Sequence, residues 1–337
     1  MSTRRIRHYA AALTTVSLLA LTLAACGDGP AADDAPARSG PAAFPVTITD
    51  AAGDKVVVRD RPKRIVALFD VNVATLDEIG ADAQIVGIDD FAAAPKDAPA
   101  SLPRIGGDNF QFDAEAVVEL EPDLVITSIG TEDALDQQLR DVGIQVLSLG
   151  YPGTIDATLD HVTTLGAVSG HVDEASALVD ELRSGIDRVT DIAADTAPVK
   201  VYYETDASVS GKPYTVGPGS LIDELLARAG ARNVFADASG FAPQVSFEAI
   251  VDAQPAVIVL ADAKGFVGPR FLGAVTVDSV EARPGFDTIP AVRDDAVRPV
   301  RADELLVPGP RLAEGLAALL GAVHPELADE ATAAAQS

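Results

Sequence analysis

From residue 44 onward, short β-branched runs alternate with amphipathic stretches. Arg64–Phe69 (RIVALF), Gln84–Ile88 (QIVGI), Asp123–Thr127 (DLVIT) and Gln145–Leu149 (QVLSL) are nearly unbroken apolar runs. That pattern marks strands covered on both faces. Helical spacing lies between them, at Ala74–Ile79 and Glu132–Val142. Val46–Thr49 and Lys55–Arg59, parted by Ala51-Ala52-Gly53-Asp54, predict an opening hairpin. The plan then repeats. Lys200–Glu204, Ala256–Leu260 and Ala296–Val300 read as strands, Ser220–Ala229 and Arg311–Val323 as helices. In the last, Leu312, Leu316, Leu319, Leu320 and Val323 recur on one face. Strand and helix in alternation predict an α/β fold.

Two features organise it into lobes. Glu115–Ile126 (EAVVELEPDLVI) and Glu248–Val259 (EAIVDAQPAVIV) are versions of one unit: a short helix, a break and a buried strand. Pro122 and Pro255 cannot continue a helix and force the turn. Two lobes of related architecture follow. Between them Ala175, Leu178, Val179, Leu182, Ile186 and Val189 line one face of a helix from about Asp173, its expected N-cap, to Ala193. Such a rod is roughly 30 Å long and joins the lobes.

The first residues are an address. Arg4, Arg5 and Arg7 precede an apolar run, Ala10 to Leu23, too short for an ordinary spanning helix and right for an export signal. It ends in Leu23-Ala24-Ala25-Cys26-Gly27, which is similar to a bacterial lipobox, with Cys26 lipidated at the mature N-terminus. The chain has no other cysteine, which excludes a disulfide framework. Residues 27–43 hold only Gly, Pro, Ala, Asp, Ser and one Arg, so they form a flexible tether. The expected location is the outer face of a cell membrane, reached through the lipid anchor alone. With Lys plus Arg at 25, Asp plus Glu at 51 and a net charge of −26, the 337-residue chain repels phosphate backbones; no nucleic-acid partner is expected.

The segments PKRIVAL (62–68), LDEIGADAQIVGID (76–89), LPRIGG (102–107), AEAVVELEPDLVI (114–126), AGARNVF (229–235), VSFEAIVDAQPAVIV (245–259), RPGFDTIPAVRDDAV (283–297) and GPRLAEGL (309–316) carry a resemblance. In this order, over about residues 44–325, the chain resembles the substrate-binding proteins of ABC importers for ferric siderophores, cobalamin or haem. The resemblance implies two Rossmann-like lobes bridged by one long α-helix, with ligand in the cleft between them. It implies an ABC permease and its ATPase as partners, and a docking role for one glutamate on each lobe. The matching positions are Glu115 and Glu248. Exposed carboxylates at helix starts suit the helix dipole and offer acceptors to guanidinium groups.

Ligands of open α/β sheets collect beyond the carboxyl ends of the strands. Candidate contacts there are Phe91, Phe110, Tyr151, Tyr203, Phe241, Gln244, Arg270 and Phe271. Aromatics would cover the flat face of a macrocycle or catechol, and Arg270 could meet an anionic group. The expected cargo is a ferric siderophore or a cobalamin-type corrinoid. Haem is the alternative, needing an axial His or Tyr, and a ligand sensor or secreted hydrolase are further alternatives. His161, His171 and His324 are scattered, which argues against a bare metal site. No GxSxG, P-loop, HExxH or SxxK pattern occurs, so no enzyme and no resident cofactor are expected. The resulting plan is a leader (1–25), a tether (26–43), a first lobe (44–170), a bridging helix (171–195), a second lobe (196–325) and a disordered tail (326–337), in a monomer.

Overall fold

The computed structural model describes residues 44–90, 92–106, 112–128, 134–264, 275–301 and 309–337. β1 (Val46–Thr49) and β2 (Lys55–Val58) form the expected antiparallel hairpin. The first lobe is built on a parallel sheet of order β5-β4-β3-β6-β7. Here β3 is Ile65–Ala67, β4 Ile85–Asp89, β5 Arg104–Ile105, β6 Leu124–Thr127 and β7 Val146–Ser148. Every residue of β3, β6 and β7 is buried, which is why those segments read as unbroken apolar runs. In the second lobe β8 (Val199–Asp206), β10 (Ala231–Asn233), β11 (Val257–Leu260) and β12 (Val297–Pro299) run parallel in the order β10-β8-β11-β12. β9 (Tyr214–Thr215) lies antiparallel on β8.

Helices connect these strands. α1 (Asp70–Glu78), α2 (Ala114–Glu119), α3 (Ala134–Asp141) and α4 (Ile155–Ser169) belong to the first lobe. α6 (Leu221–Arg228), α7 (Phe247–Ala253), α8 (Val277–Glu281) and α9 (Pro290–Arg293) belong to the second. Thr154, Ser220 and Ser246 cap α4, α6 and α7 by accepting from the amides of Ala157, Asp223 and Ala249. Glu121 and Gln254, which precede the prolines of the repeat, both adopt positive φ, so the two helix-to-strand breaks are made the same way.

The rod is α5 (Val172–Ala193). It starts one residue before the expected cap. His171 occupies the N-cap position without a side-chain bond, and Asp173 lies inside the first turn. Ala175, Leu178, Leu182, Ile186 and Val189 are buried as the spacing predicted. α5 packs on α4 of the first lobe and on α10 (Leu312–Val323) and α11 (Ala328–Ala335). Two glycines set the approach: a Cβ on Gly166 would collide with that of Ala175, and one on Gly185 would press on Ala313. One continuous apolar core therefore runs from the first lobe through α5 into the second. A smaller cluster around Val66, Leu68, Val117, Val125 and Leu139 covers the other face of the first sheet. The two α/β lobes and their connecting helix are as expected.

The tail corrects an expectation. Residues 326–337 are not disordered. A 3₁₀ turn at Pro325–Leu327 leads into α11, Ala331 is fully buried, and Arg188 of α5 donates from Nε to the Ala334 carbonyl at 2.9 Å. Leu327 is the segment's one large apolar residue and packs on the core, and the alanines that follow allow a close approach to Gly185 and Gly321.

Candidate ligand cleft

In each parallel sheet the strand carboxyl ends and the following helix starts share one edge. The two edges meet. The Ile155 amide, at the start of α4 after β7, donates to Glu224 Oε2 of α6 in the other lobe at 3.0 Å. A Cβ placed on Gly153 would lie 4.0 Å from the Phe241 ring of the second lobe. Phe241 is 62% exposed, an apolar ring offered to whatever fills the cleft. Ser220, Gly217 and the Gly240–Phe241 carbonyls fix its loop: the Gly217 amide donates to the Phe241 carbonyl at 2.9 Å, and Gly217 has no room for a Cβ against the Gly240 carbonyl.

On the first lobe, Asp89 at the end of β4 is wholly buried. It accepts from the Phe69 amide at 2.5 Å and the Ala92 amide at 2.9 Å. Phe69 carries a φ of 72°, a rare conformation for a bulky residue. That turn sets Asp70 at the mouth of the cleft. Burial, opposed by the Val71 amide and helped by the Asp89 charge, pushes the Asp70 carboxyl up to about 6. Tyr151 stands by Asp70, and burial with the Asp70 charge holds its phenol well above the usual range. Behind them Asn72 donates to the Leu68 carbonyl at 2.6 Å and to Ser128 at 3.2 Å, while its Oδ1 meets His161 Nε2 at 2.8 Å. Burial lowers His161 to about 4, so this ring is neutral and donates to Asn72.

On the second lobe, Arg283 forms a bidentate pair with Glu204 of β8, Nη1 to Oε2 at 2.5 Å and Nη2 to Oε1 at 2.8 Å. The side chains are 8% and 0% exposed. Tyr202 donates to Glu204 Oε2 at 2.9 Å, and the guanidinium lies over the Phe247 and Phe286 rings at 5.0 and 5.6 Å. Beside this pair, at the end of β11, Asp262 is 1% exposed, and among the described residues no side chain donates to its carboxylate, which lies by the backbone amides of Asp262 and Ala207. Burial first and the Glu204 charge second push Asp262 up to about 7.

The predicted residues divide as follows. Tyr151 and Phe241 stand at the facing edges. Gln244 is exposed, next to the same loop, and reaches the Lys212 carbonyl at 3.4 Å. Tyr203 is corrected: it is fully buried in the second lobe and walls no cleft, because both faces of β8 are covered there. Glu115 and Glu248 are exposed at the second position of α2 and α7. Phe91, Phe110, Arg270, Phe271 and Cys26 lie outside the described residues. Sequence reading missed Asp262, Glu224 and the Glu204–Arg283 pair. Their signal was available as charged residues closing apolar strands, in YYETD and VLADAK. A separate concavity of about 730 Å³, around Arg59, Arg61, Lys63 and Asp123, opens on the opposite edge of the first sheet. Among the described residues no group of three or more His, Cys, Asp or Glu is arranged to hold a metal, and no helix is long and apolar enough to cross a membrane.

The periplasmic binding protein family matches residues 65–303, a span that includes both sheets. The chain belongs to this family. It is 30% identical over 316 residues to the uncharacterized ABC transporter substrate-binding lipoprotein YvrC of Bacillus subtilis, covering 92% of this chain and 95% of YvrC. It is also 30% identical over 285 residues to a cobalamin-binding protein of Halobacterium salinarum, covering 83% and 74%. Among solved structures, the haem-binding protein RhuT of Roseiflexus sp. RS-1 shares the fold at a TM-score of 0.66, with 24% identity and coverage of 81% and 99%. An Fe3+-hydroxamate transport protein of Saccharomonospora viridis does so at 0.65, with 26% identity and coverage of 86% and 99%. This periplasmic binding protein is thus an extracytoplasmic component of an ABC importer, built to bind rather than to catalyse.

Proposed function

We propose that this protein captures a metal-bearing cyclic tetrapyrrole, a cobalamin-type corrinoid first, and hands it to an ABC permease. The observation that supports this reading is the exposed Phe241 ring beside Gly153 of the other lobe, an apolar face at the edge where the two lobes meet. A flat macrocycle fits such an edge, and the cobalamin-binding relative supports the same cargo. Haem is the second reading, and the likeness to RhuT gives it more weight than the sequence alone does. It would need an axial donor. His161 already spends its Nε2 on Asn72, and Tyr151 is held as a neutral phenol. Titration of the purified protein with cyanocobalamin and with haemin, followed by visible absorbance, tests the cargo. The expected result is saturable one-to-one binding of the corrinoid; no spectral change with either macrocycle would refute the reading.

The leader and tether support anchoring through Cys26, and YvrC is itself a lipoprotein. A Cys26→Ser chain is expected in the culture medium rather than the membrane fraction. Full membrane retention would remove the lipid anchor from the picture.

A further inference from the structure

We propose that the concavity opposite the cleft seats the body on an anionic phospholipid surface, in a resting pose that turns the cleft away from the membrane. This rests on the Cys26 anchor above. A net charge of −26 predicts repulsion from such a surface, but the charge is spread unevenly. Residues 55–64 (KVVVRDRPKR) hold five of the chain's 25 cations and one acid. Lys55, Arg59, Arg61, Lys63 and Arg64 are all exposed. Arg59, Arg61 and Lys63 line the concavity of about 730 Å³, with Asp60, Asp123 and Gln145 among its other walls. The fold holds this loop in place and leaves its cations open to solvent. Arg61 is fixed at the corner between α4 and α5: its Nε donates to the Ser169 carbonyl at 3.0 Å, and its Nη2 lies 2.8 Å from His171 Nε2. Asp123 holds the loop by its backbone, accepting from the Lys63 and Arg64 amides at 2.7 and 3.0 Å. Arg64 turns back to the Leu120 and Glu121 carbonyls. Among the described residues, the side chains of Arg59 and Lys63 have no hydrogen bond or ion pair.

The anchored end of the chain enters the body at this same spot. Val46 pairs with Val58, so the chain arriving from Cys26 joins the hairpin next to Arg59. Residues 27–43 lie between, so Phe44 is never more than about 60 Å from the lipid. Within a Debye length, about 10 Å at 0.1 M salt, each cation gains about fivefold from anionic headgroups, while the acidic remainder of the surface is repelled. The two forces together select one orientation, with the lipid phosphates against Arg59, Arg61 and Lys63. Lys63, Asp123 and Gln145 precede β3, β6 and β7, so the concavity lies at the amino ends of these strands, and the cleft lies at their carboxyl ends. A body resting on this face presents its cleft to the outside, where cargo arrives, and lifts off to meet a permease.

The test places the mature, lipidated protein on two kinds of vesicle, phosphatidylcholine alone and phosphatidylcholine with one third phosphatidylglycerol. Flotation first reports anchoring. An amine-reactive acylating reagent is then added, and peptide mass spectrometry follows Lys63 against the exposed Lys212 of the second lobe as internal standard. Acylation of Lys63 relative to Lys212 is expected to slow about fivefold on the anionic vesicles and not on the neutral ones, and high salt is expected to abolish the difference. Arg59→Glu is expected to return Lys63 to its neutral-vesicle rate, and Arg59→Lys to keep the protection. Arg59 is remote from the cleft, so both variants keep wild-type cargo affinity. Equal Lys63 rates on the two vesicles, with the protein floating on both, overturn the inference and leave the anchor standing. So does equal protection by inorganic phosphate without vesicles, which would give the concavity to a small soluble anion. Failure to float with either vesicle overturns the anchor and this inference with it.

Discussion

A Glu115→Ala/Glu248→Ala chain is expected to bind its cargo with unchanged affinity and to support about 100-fold less uptake, or lower still. The two carboxylates are exposed, stand at the second position of α2 and α7, and lie in the two copies of the internal repeat. Neither is committed to a hydrogen bond or ion pair within the chain among the described residues. Asp113 and Ser246 supply the helix caps instead. Each glutamate is thus free to accept a permease guanidinium. A charge-assisted contact of that kind contributes about 1.5–3 kcal/mol, and two lost together give the stated factor. Uptake in cells carrying the cognate permease, read beside calorimetry on the purified variant, checks it. Wild-type uptake by the double variant would remove these residues from docking. A fall in ligand affinity would place them in the cleft instead.

The second large effect is on stability. Arg283→Leu strands the Glu204 carboxylate in a site where, among the described residues, Tyr202 is its one remaining side-chain partner. Removing one member of a buried pair costs about 3–5 kcal/mol, which for a chain of this size lowers the melting temperature by about 10 °C. Glu204→Met combined with Arg283→Leu restores much of the loss, because no unpaired charge then remains. A melting temperature within two or so degrees of wild type for Arg283→Leu would show that the pair carries no such weight.

The same site gives a pH dependence of definite sign. Asp262 holds its proton up to about pH 7 in the folded state and to about pH 4 when unfolded. The folded state therefore binds more protons between those values. Stability is fullest below about pH 4 in this respect and falls as pH rises to 7, by roughly 2–3 kcal/mol for this one group. Asp70, at about 6, adds a smaller fall of the same sign. Asp262→Asn is expected to melt higher than wild type at pH 8 and alike at pH 5. Coincident curves at both would contradict the assignment.

Much of this fold was legible because its signals are local. Strands buried on both faces leave unbroken apolar runs, as in Leu124–Thr127, and α5 leaves a stripe at helical spacing. Pro122 and Pro255 mark both copies of one turn. What stayed hidden depends on partners far apart in the chain. Glu204 and Arg283 are separated by 79 positions, and nothing at either position announces the other. Tyr203 misled because aromatic residues were weighed as ligand walls, whereas β8 is covered on both sides and takes its tyrosines into the core. The tail misled for the opposite reason: alanine carries little apolar signal, yet its small size is what lets α11 lie against α5.

The continuous core through α5 also makes the two lobes one folding unit. The repeat around Glu115 and Glu248 gives each lobe the same helix, break and strand, but not a separate core. Val189 and Ile186 of α5 now bury against neighbours that include the last helices of the chain, while Ala175 meets Gly166 of the first lobe. A half cut out at Val172 would leave Val162, Leu165 and Val168 without a cover. Neither lobe is therefore expected to fold when cut from the other.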